Sequence, residues 1–118
     1  MRSYFTSVLS ANLAWILLLA AGLLEVVWAY TLKLSDGFGR PAPSLVTLAA
    51  MAASFGLLSV AMRSLPLGTA YTVWTGIGAI GSFAVGIVVL GEPVTPMRLC
   101  AAALIVSGLV LMKLSSGH

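Results

Sequence analysis

Charged residues and prolines cut the chain into four long apolar stretches. The first covers residues 12–32 and contains one charge, Glu25. A polar segment with Lys33, Asp36, Gly37, Gly39, Arg40, Pro41 and Pro43 follows it. The second stretch, 44–62, is uncharged and stops at Arg63-Ser64-Leu65-Pro66. The third, 67–90, is also uncharged and stops at Gly91-Glu92-Pro93-Val94-Thr95-Pro96. The fourth, 97–114, has 14 uncharged residues between Arg98 and Lys113. About 20 apolar residues cross a hydrocarbon core roughly 30 Å thick, so each stretch predicts a transmembrane helix. In the fourth, Arg98 and Lys113 are long enough to snorkel to the interfaces, which restores a spanning length. Short connections make successive helices antiparallel, and four spans put both termini on one side. The pattern predicts an all-α integral membrane subunit, with a four-helix membrane domain over 12–115 and an N-terminal extension over 1–11.

Composition supports this and removes other classes. Of 118 residues, 60% are hydrophobic and 8% are charged, against about 25% charged in soluble domains. Mean hydropathy is +1.10, the opposite extreme from a disordered chain. The length allows one domain. The net charge of +3 comes from cations scattered singly along the chain, so no patch exists for nucleic-acid phosphates. The single cysteine, Cys100, forms no internal disulfide and gives no metal-ligand spacing. The single histidine, His118, is the last residue. No metal or cofactor is expected, and an enzyme is excluded for want of acid–base and nucleophile partners. Residues 1–11 imitate the start of a signal peptide, but the apolar run behind them is long, contains Glu25 and lacks a small-residue cleavage site. They read as a short cytoplasmic or interfacial extension, or as a start-codon artefact.

The charges also bear on orientation. Cytoplasmic loops of membrane proteins carry the excess of Lys and Arg. One side here holds Arg2, Arg63 and Lys113, and the other holds Lys33, Arg40 and Arg98. A bias of zero is what a dual-topology protein would show, with two copies pairing antiparallel. The alternative is a fixed orientation that is weakly signalled.

Glu25 decides the functional reading. It stands about 14 residues into a 21-residue span, and no Lys or Arg lies at any span centre to pair with it. A carboxylate at mid-membrane costs about 2.5–3.5 kcal/mol on insertion scales and usually marks an ion or proton site. Low dielectric disfavours its charged form, and a bound cation favours it, so proton and cation compete for one group. Competition at a site that alternates between two faces is the minimal design of a proton-coupled cation antiporter. The alternatives are a permanently protonated carboxyl and a position nearer the interface. Trp28, at i+3, shares a helix face with Glu25, with Ala21 and Gly22 one turn back. Ser54 is the mid-span polar residue of the second stretch, and Tyr71 and Trp74 share a face in the third. Such N–H and O–H groups can orient a carboxylate; Trp28 and Tyr71 also read as interfacial belt residues, and Trp15 is assigned to the belt. Gly76-Ile77-Gly78 serves either as a hinge or as a close-packing site. In the fourth stretch, Gly108 with Ser107 and Ala103 reads as helix–helix contact. Four helices alone enclose little cavity, so a dimer is implied physically.

Leu24-Glu25-Val26-Val27-Trp28-Ala29, followed by Leu32-Lys33, resembles the first-helix signature of the small multidrug resistance family. Ser64-Leu65-Pro66-Leu67-Gly68-Thr69-Ala70-Tyr71-Thr72-Val73-Trp74-Thr75-Gly76-Ile77-Gly78 resembles its third-helix signature, and Gly91-Glu92-Pro93 and Met97-Arg98 also match. The similarity covers about residues 12–115, and Trp28 with Trp74-Thr75-Gly76-Ile77-Gly78 resembles the guanidinium-exporter subtype rather than the polyaromatic-drug subtype. The resemblance implies an antiparallel, dual-topology homodimer in the cytoplasmic (inner) membrane of a bacterium. It implies that Glu25 of both subunits forms one site for protons and substrate, lined by Trp28, Ser54, Tyr71 and Trp74 with Gly22 packed beside it. Gly76 and Gly78 are implied as the bend exchanged during alternating access, and the fourth helix as the dimer contact through Ala103, Ser107 and Gly108.

The implied activity is proton-coupled export of guanidinium, extending to small substituted guanidinyl cations. Guanidinium is planar and rich in N–H donors, which a carboxylate accepts in bidentate fashion and Trp rings flank through cation–π contact. If two protons enter for each cation leaving, the membrane potential adds about 2.3 kcal/mol per net charge per 100 mV. The alternative within the same fold is a promiscuous exporter of quaternary ammonium or aromatic cations. A non-transport subunit or small pore is the alternative outside it.

Overall fold

A computed structural model of the chain describes residues 2–116, with side chains over 12–115. It has four helices: α1 (Arg2–Leu34), α2 (Pro41–Ala61), α3 (Leu67–Val88) and α4 (Pro96–Ser116). All four are long and apolar enough to cross a membrane, so the all-α, four-span architecture expected from the hydrophobic pattern is the one observed. The α1 backbone is helical from Arg2 onward; the side chains of the N-terminal extension lie outside the described residues.

α2 starts three residues before the uncharged stretch, because Pro41 and Pro43 fall inside its first turn rather than in the loop. The first N–H groups of a helix have no intrahelical acceptor, so proline there removes nothing, and its fixed φ suits the helix. The turn before α2 is tight. Asp36, Gly37 and Phe38 all have positive φ, at 52°, 69° and 67°. Buried Ser35 holds them: its hydroxyl accepts from the Phe38 N–H at 3.1 Å, and its carbonyl accepts from the Arg40 N–H at 3.0 Å. α3 ends at Val88, and Gly91, with φ of +70°, turns the chain back. Thr95 caps α4 by accepting from the Arg98 N–H at 3.1 Å.

The helices lie in the order α2, α1, α3, α4: α1 packs on α2 and α3, α4 packs on α3, and α2 touches α3 more lightly. The Cα envelope is 51 × 36 × 17 Å, thin in one direction. Lipid supplies no hydrophobic force between helices, so association depends on close packing and hydrogen bonds. Both are present. Ala14, Leu18 and Ala21 of α1 meet Leu58 and Ala61 of α2 and Ala70, Val73 and Trp74 of α3. Gly22 takes Ile77 against its backbone, and Gly81 takes Val26. Between α1 and α2, the hydroxyls of Thr31 and Thr47 are 2.7 Å apart. The α4 span has no buried residue, and Ala103, Ser107 and Gly108 all lie exposed on it.

Candidate functional site

Glu25 lies on α1 13 residues after Asn12 and 9 before Leu34, ~20 Å and ~14 Å from the two ends of the span. Its carboxylate packs across Gly78 of α3, where a Cβ would collide with it. The Oε1 atom is buried and has no hydrogen-bond partner among the described residues, and the same holds for the indole Nε1 of Trp28. One helical turn separates these two groups on α1. An acceptor and a donor, both buried and both unpaired, mark a place that something polar completes.

α2 contributes Ser54 and Phe55. Ser54 is fully buried. It donates to the Ala21 carbonyl of α1 at 2.7 Å and accepts from Trp74 Nε1 of α3 at 3.0 Å, so one hydroxyl joins three helices. Ser54 and Trp74 therefore bond each other within the subunit, and not the glutamate. Phe55 stands between the two indoles, edge-on to Trp28 at 6.2 Å and to Trp74 at 5.8 Å between ring centroids. Tyr71 rests on Trp74 at 5.6 Å and is 52% exposed. The wall is thus Tyr71, Trp74, Phe55 and Trp28, a continuous aromatic row beside an unpaired carboxylate.

The structure joins Trp28 to Trp74 through Phe55, rests Tyr71 on Trp74 and bonds Ser54 to Trp74. It sets Glu25 one turn before Trp28 against Gly78, and places Gly22 one turn before Glu25, where it admits the side chain of Ile77. α3 runs unbroken through Gly76 and Gly78, and both glycines are contact points: Gly76 faces Leu109 of α4 and Gly78 faces Glu25. Phe55 was not legible beforehand. The polar residues Ser44, Thr47 and Ser54 mark the buried face of this uncharged span, and Phe55, 46% exposed, lies at its edge with no mark of its own. Its place directly after Ser54 is the one available signal.

Ser54 carries the packing of this region. In Ser54→Ala the Trp74 N–H is left buried without an acceptor, a loss of about 1–3 kcal/mol. The expected result is earlier unfolding in a detergent titration. Adding Trp74→Phe removes the orphaned donor, so the double variant loses less than the sum of the two single ones. Strict additivity would show that the Ser54–Trp74 bond contributes nothing.

The chain is similar to known proteins over most of its length. The family model described as Small Multidrug Resistance protein matches residues 13–106. A protein of Escherichia coli (strain K12) named guanidinium exporter is 58% identical over 104 residues, covering 88% of this chain and 99% of the relative. Proteins of the same name from Citrobacter freundii and Salmonella typhimurium are each 57% identical over the same coverage. A match of this length and identity, on a four-span helical subunit with a carboxylate at mid-membrane, places the chain in the small multidrug resistance family.

Proposed function

We propose that this protein exports guanidinium across the inner membrane in exchange for protons, as a multi-pass transporter and not an enzyme. The observation that carries the reading is Glu25: a mid-membrane carboxylate with an unpaired buried oxygen beside an aromatic row. Relatives named guanidinium exporter supply the substrate. The planar cation donates two N–H groups to the carboxylate, and the indole of Trp28 or Trp74 flanks its face. The empty state of the carboxylate is protonated and the loaded state is ionised, so one group carries either cargo and never both.

The working unit we infer is an antiparallel homodimer. One thin subunit has one wall and leaves Tyr71 open, whereas two subunits face to face enclose a site with two Glu25 side chains. The exposed α4, with Ala103, Ser107 and Gly108, supplies the surface that holds the copies together. The equal charge count on the two faces lets both orientations insert. Bending at Gly76 and Gly78, opposite in the two copies, exchanges the open side.

The test is electrical recording from proteoliposomes on a solid-supported membrane. Guanidinium produces a current that depends on the pH gradient, and tetraalkylammonium produces none. Current from tetraalkylammonium alone, with ethidium resistance in growing cells, would overturn the substrate and leave the fold. Guanidinium flux without proton movement would overturn the exchange.

A further inference from the structure

A cavity of mixed polar and apolar lining lies between α1 and α3, toward the C-terminal ends of both helices. It measures about 190 Å³, and its lining includes Val26, Tyr30, Lys33, Ser82, Gly86 and Glu92. Val26, Tyr30 and Lys33 fall on one face of α1 at i, i+4 and i+7. Glu92 reaches the cavity through the turn after α3. Gly91 takes positive φ, the Glu92 N–H donates to the Gly86 carbonyl at 2.9 Å, and the side chain folds back across Gly86, where a Cβ would strike the carboxylate. The two glycines together seat a carboxylate in the cavity wall.

Three features define what fits there. Lys33 stands eight residues after Glu25, ~12 Å further along the axis, so from mid-membrane the cavity reaches the headgroup level of a bilayer whose core is roughly 30 Å thick. Lys33 and Glu92 line the same space, yet no ion pair joins them among the described residues. The cavity is smaller than the roughly 300–1,000 Å³ of sites that swallow drug-sized ligands. It has room for a headgroup and none for acyl chains.

We propose that this cavity binds the headgroup of a zwitterionic phospholipid bearing a primary ammonium and a phosphate. The ammonium donates to the Glu92 carboxylate, and the phosphate accepts from the Lys33 ammonium, with the hydroxyls of Tyr30 and Ser82 as further donors. Each protein charge gains an opposite partner without moving to the other. A trimethylammonium headgroup lacks the N–H donors that Glu92 requires. An anionic headgroup satisfies Lys33 and sets a like charge against Glu92.

Native mass spectrometry of the full protein, released from detergent with added lipid, tests this. The probes are phosphatidylethanolamine, phosphatidylcholine and phosphatidylglycerol with identical acyl chains. The wild type retains phosphatidylethanolamine about tenfold better than either of the others; Glu92→Gln removes about tenfold of that preference, and Lys33→Gln lowers retention of all three lipids, whose phosphate is common. Equal retention of the three lipids by the wild type would overturn the proposal, and that comparison needs no variant. Undiminished preference in Glu92→Gln, with helicity confirmed by circular dichroism, would overturn it as well.

Discussion

Replacing Glu25 with glutamine abolishes guanidinium-driven proton current and leaves a folded, helical protein. The substitution keeps the shape of the side chain and removes the one acidic group in the first span. An amide neither takes up nor releases a proton in the working range, so coupling falls to zero and not to a fraction. Cation binding falls too. A hydrogen bond to a charged group is worth about 1.5–3 kcal/mol net, which is roughly ten- to more than a hundredfold in affinity. The fold does not suffer, because an unpaired mid-membrane carboxylate is itself costly, about 2.5–3.5 kcal/mol on insertion scales. Expression and thermal stability of the variant therefore equal or exceed those of the wild type. Glu25→Asp is the informative companion. It keeps the charge but withdraws the carboxylate by one methylene from its place over Gly78, so current persists at a reduced rate. Full pH-driven guanidinium current in Glu25→Gln would mean that the proton travels by another group, and the mechanism fails.

Much of this site can be read from the chain, and the reason is the solvent. In lipid an ionisable residue is conspicuous, so Glu25 identifies itself by position alone. Ser54 and Trp74 stand out for the same reason, since polar atoms in a span need partners, and the structure pairs them with each other at 3.0 Å. What the pattern hides is the edge of a face. Ser44, Thr47 and Ser54 give the buried side of α2, but an apolar residue beside that side carries no signal. Phe55 is therefore indistinguishable from its neighbours until α1 and α3 are set beside it. The same limit applies to glycine. Gly76-Ile77-Gly78 fits a hinge and a packing notch equally well on one helix, because the difference lies in what another helix presents. Leu109 and the Glu25 carboxylate are those partners, and they are 33 and 53 positions away in the chain. Lys33 and Glu92 are a further case: two interfacial charges at distant positions share a cavity only because Gly91 reverses the chain after α3.

Gly78→Ala separates the seat of the carboxylate from the bend. No positive φ is found at Gly78, so alanine suits the backbone and gains about 1 kcal/mol in helix propensity. The cost falls on Glu25. A Cβ at this position overlaps the carboxylate and stands 2.7 Å from Glu25 Cγ. These atoms belong to the end of a flexible side chain, so the chain swings aside and the helices keep their packing. The protein stays folded while its binding group moves by about 1 Å, a displacement that can cost ~100-fold in rate. Gly76→Ala meets the side chain of Leu109 on the far side of α3 and leaves Glu25 where it is. A role limited to bending predicts that both alanine variants slow the exchange of open sides and bind guanidinium normally. A role as the seat predicts that Gly78→Ala loses equilibrium affinity and Gly76→Ala does not. Guanidinium titration followed by the fluorescence of Trp28 and Trp74, which lie on either side of Phe55, reads affinity without turnover. Gly56→Ala, with open space around the added methyl, sets the baseline for a harmless substitution. Wild-type affinity in Gly78→Ala would show that the carboxylate does not need this notch, and the packing of Glu25 on α3 would then have no part in binding.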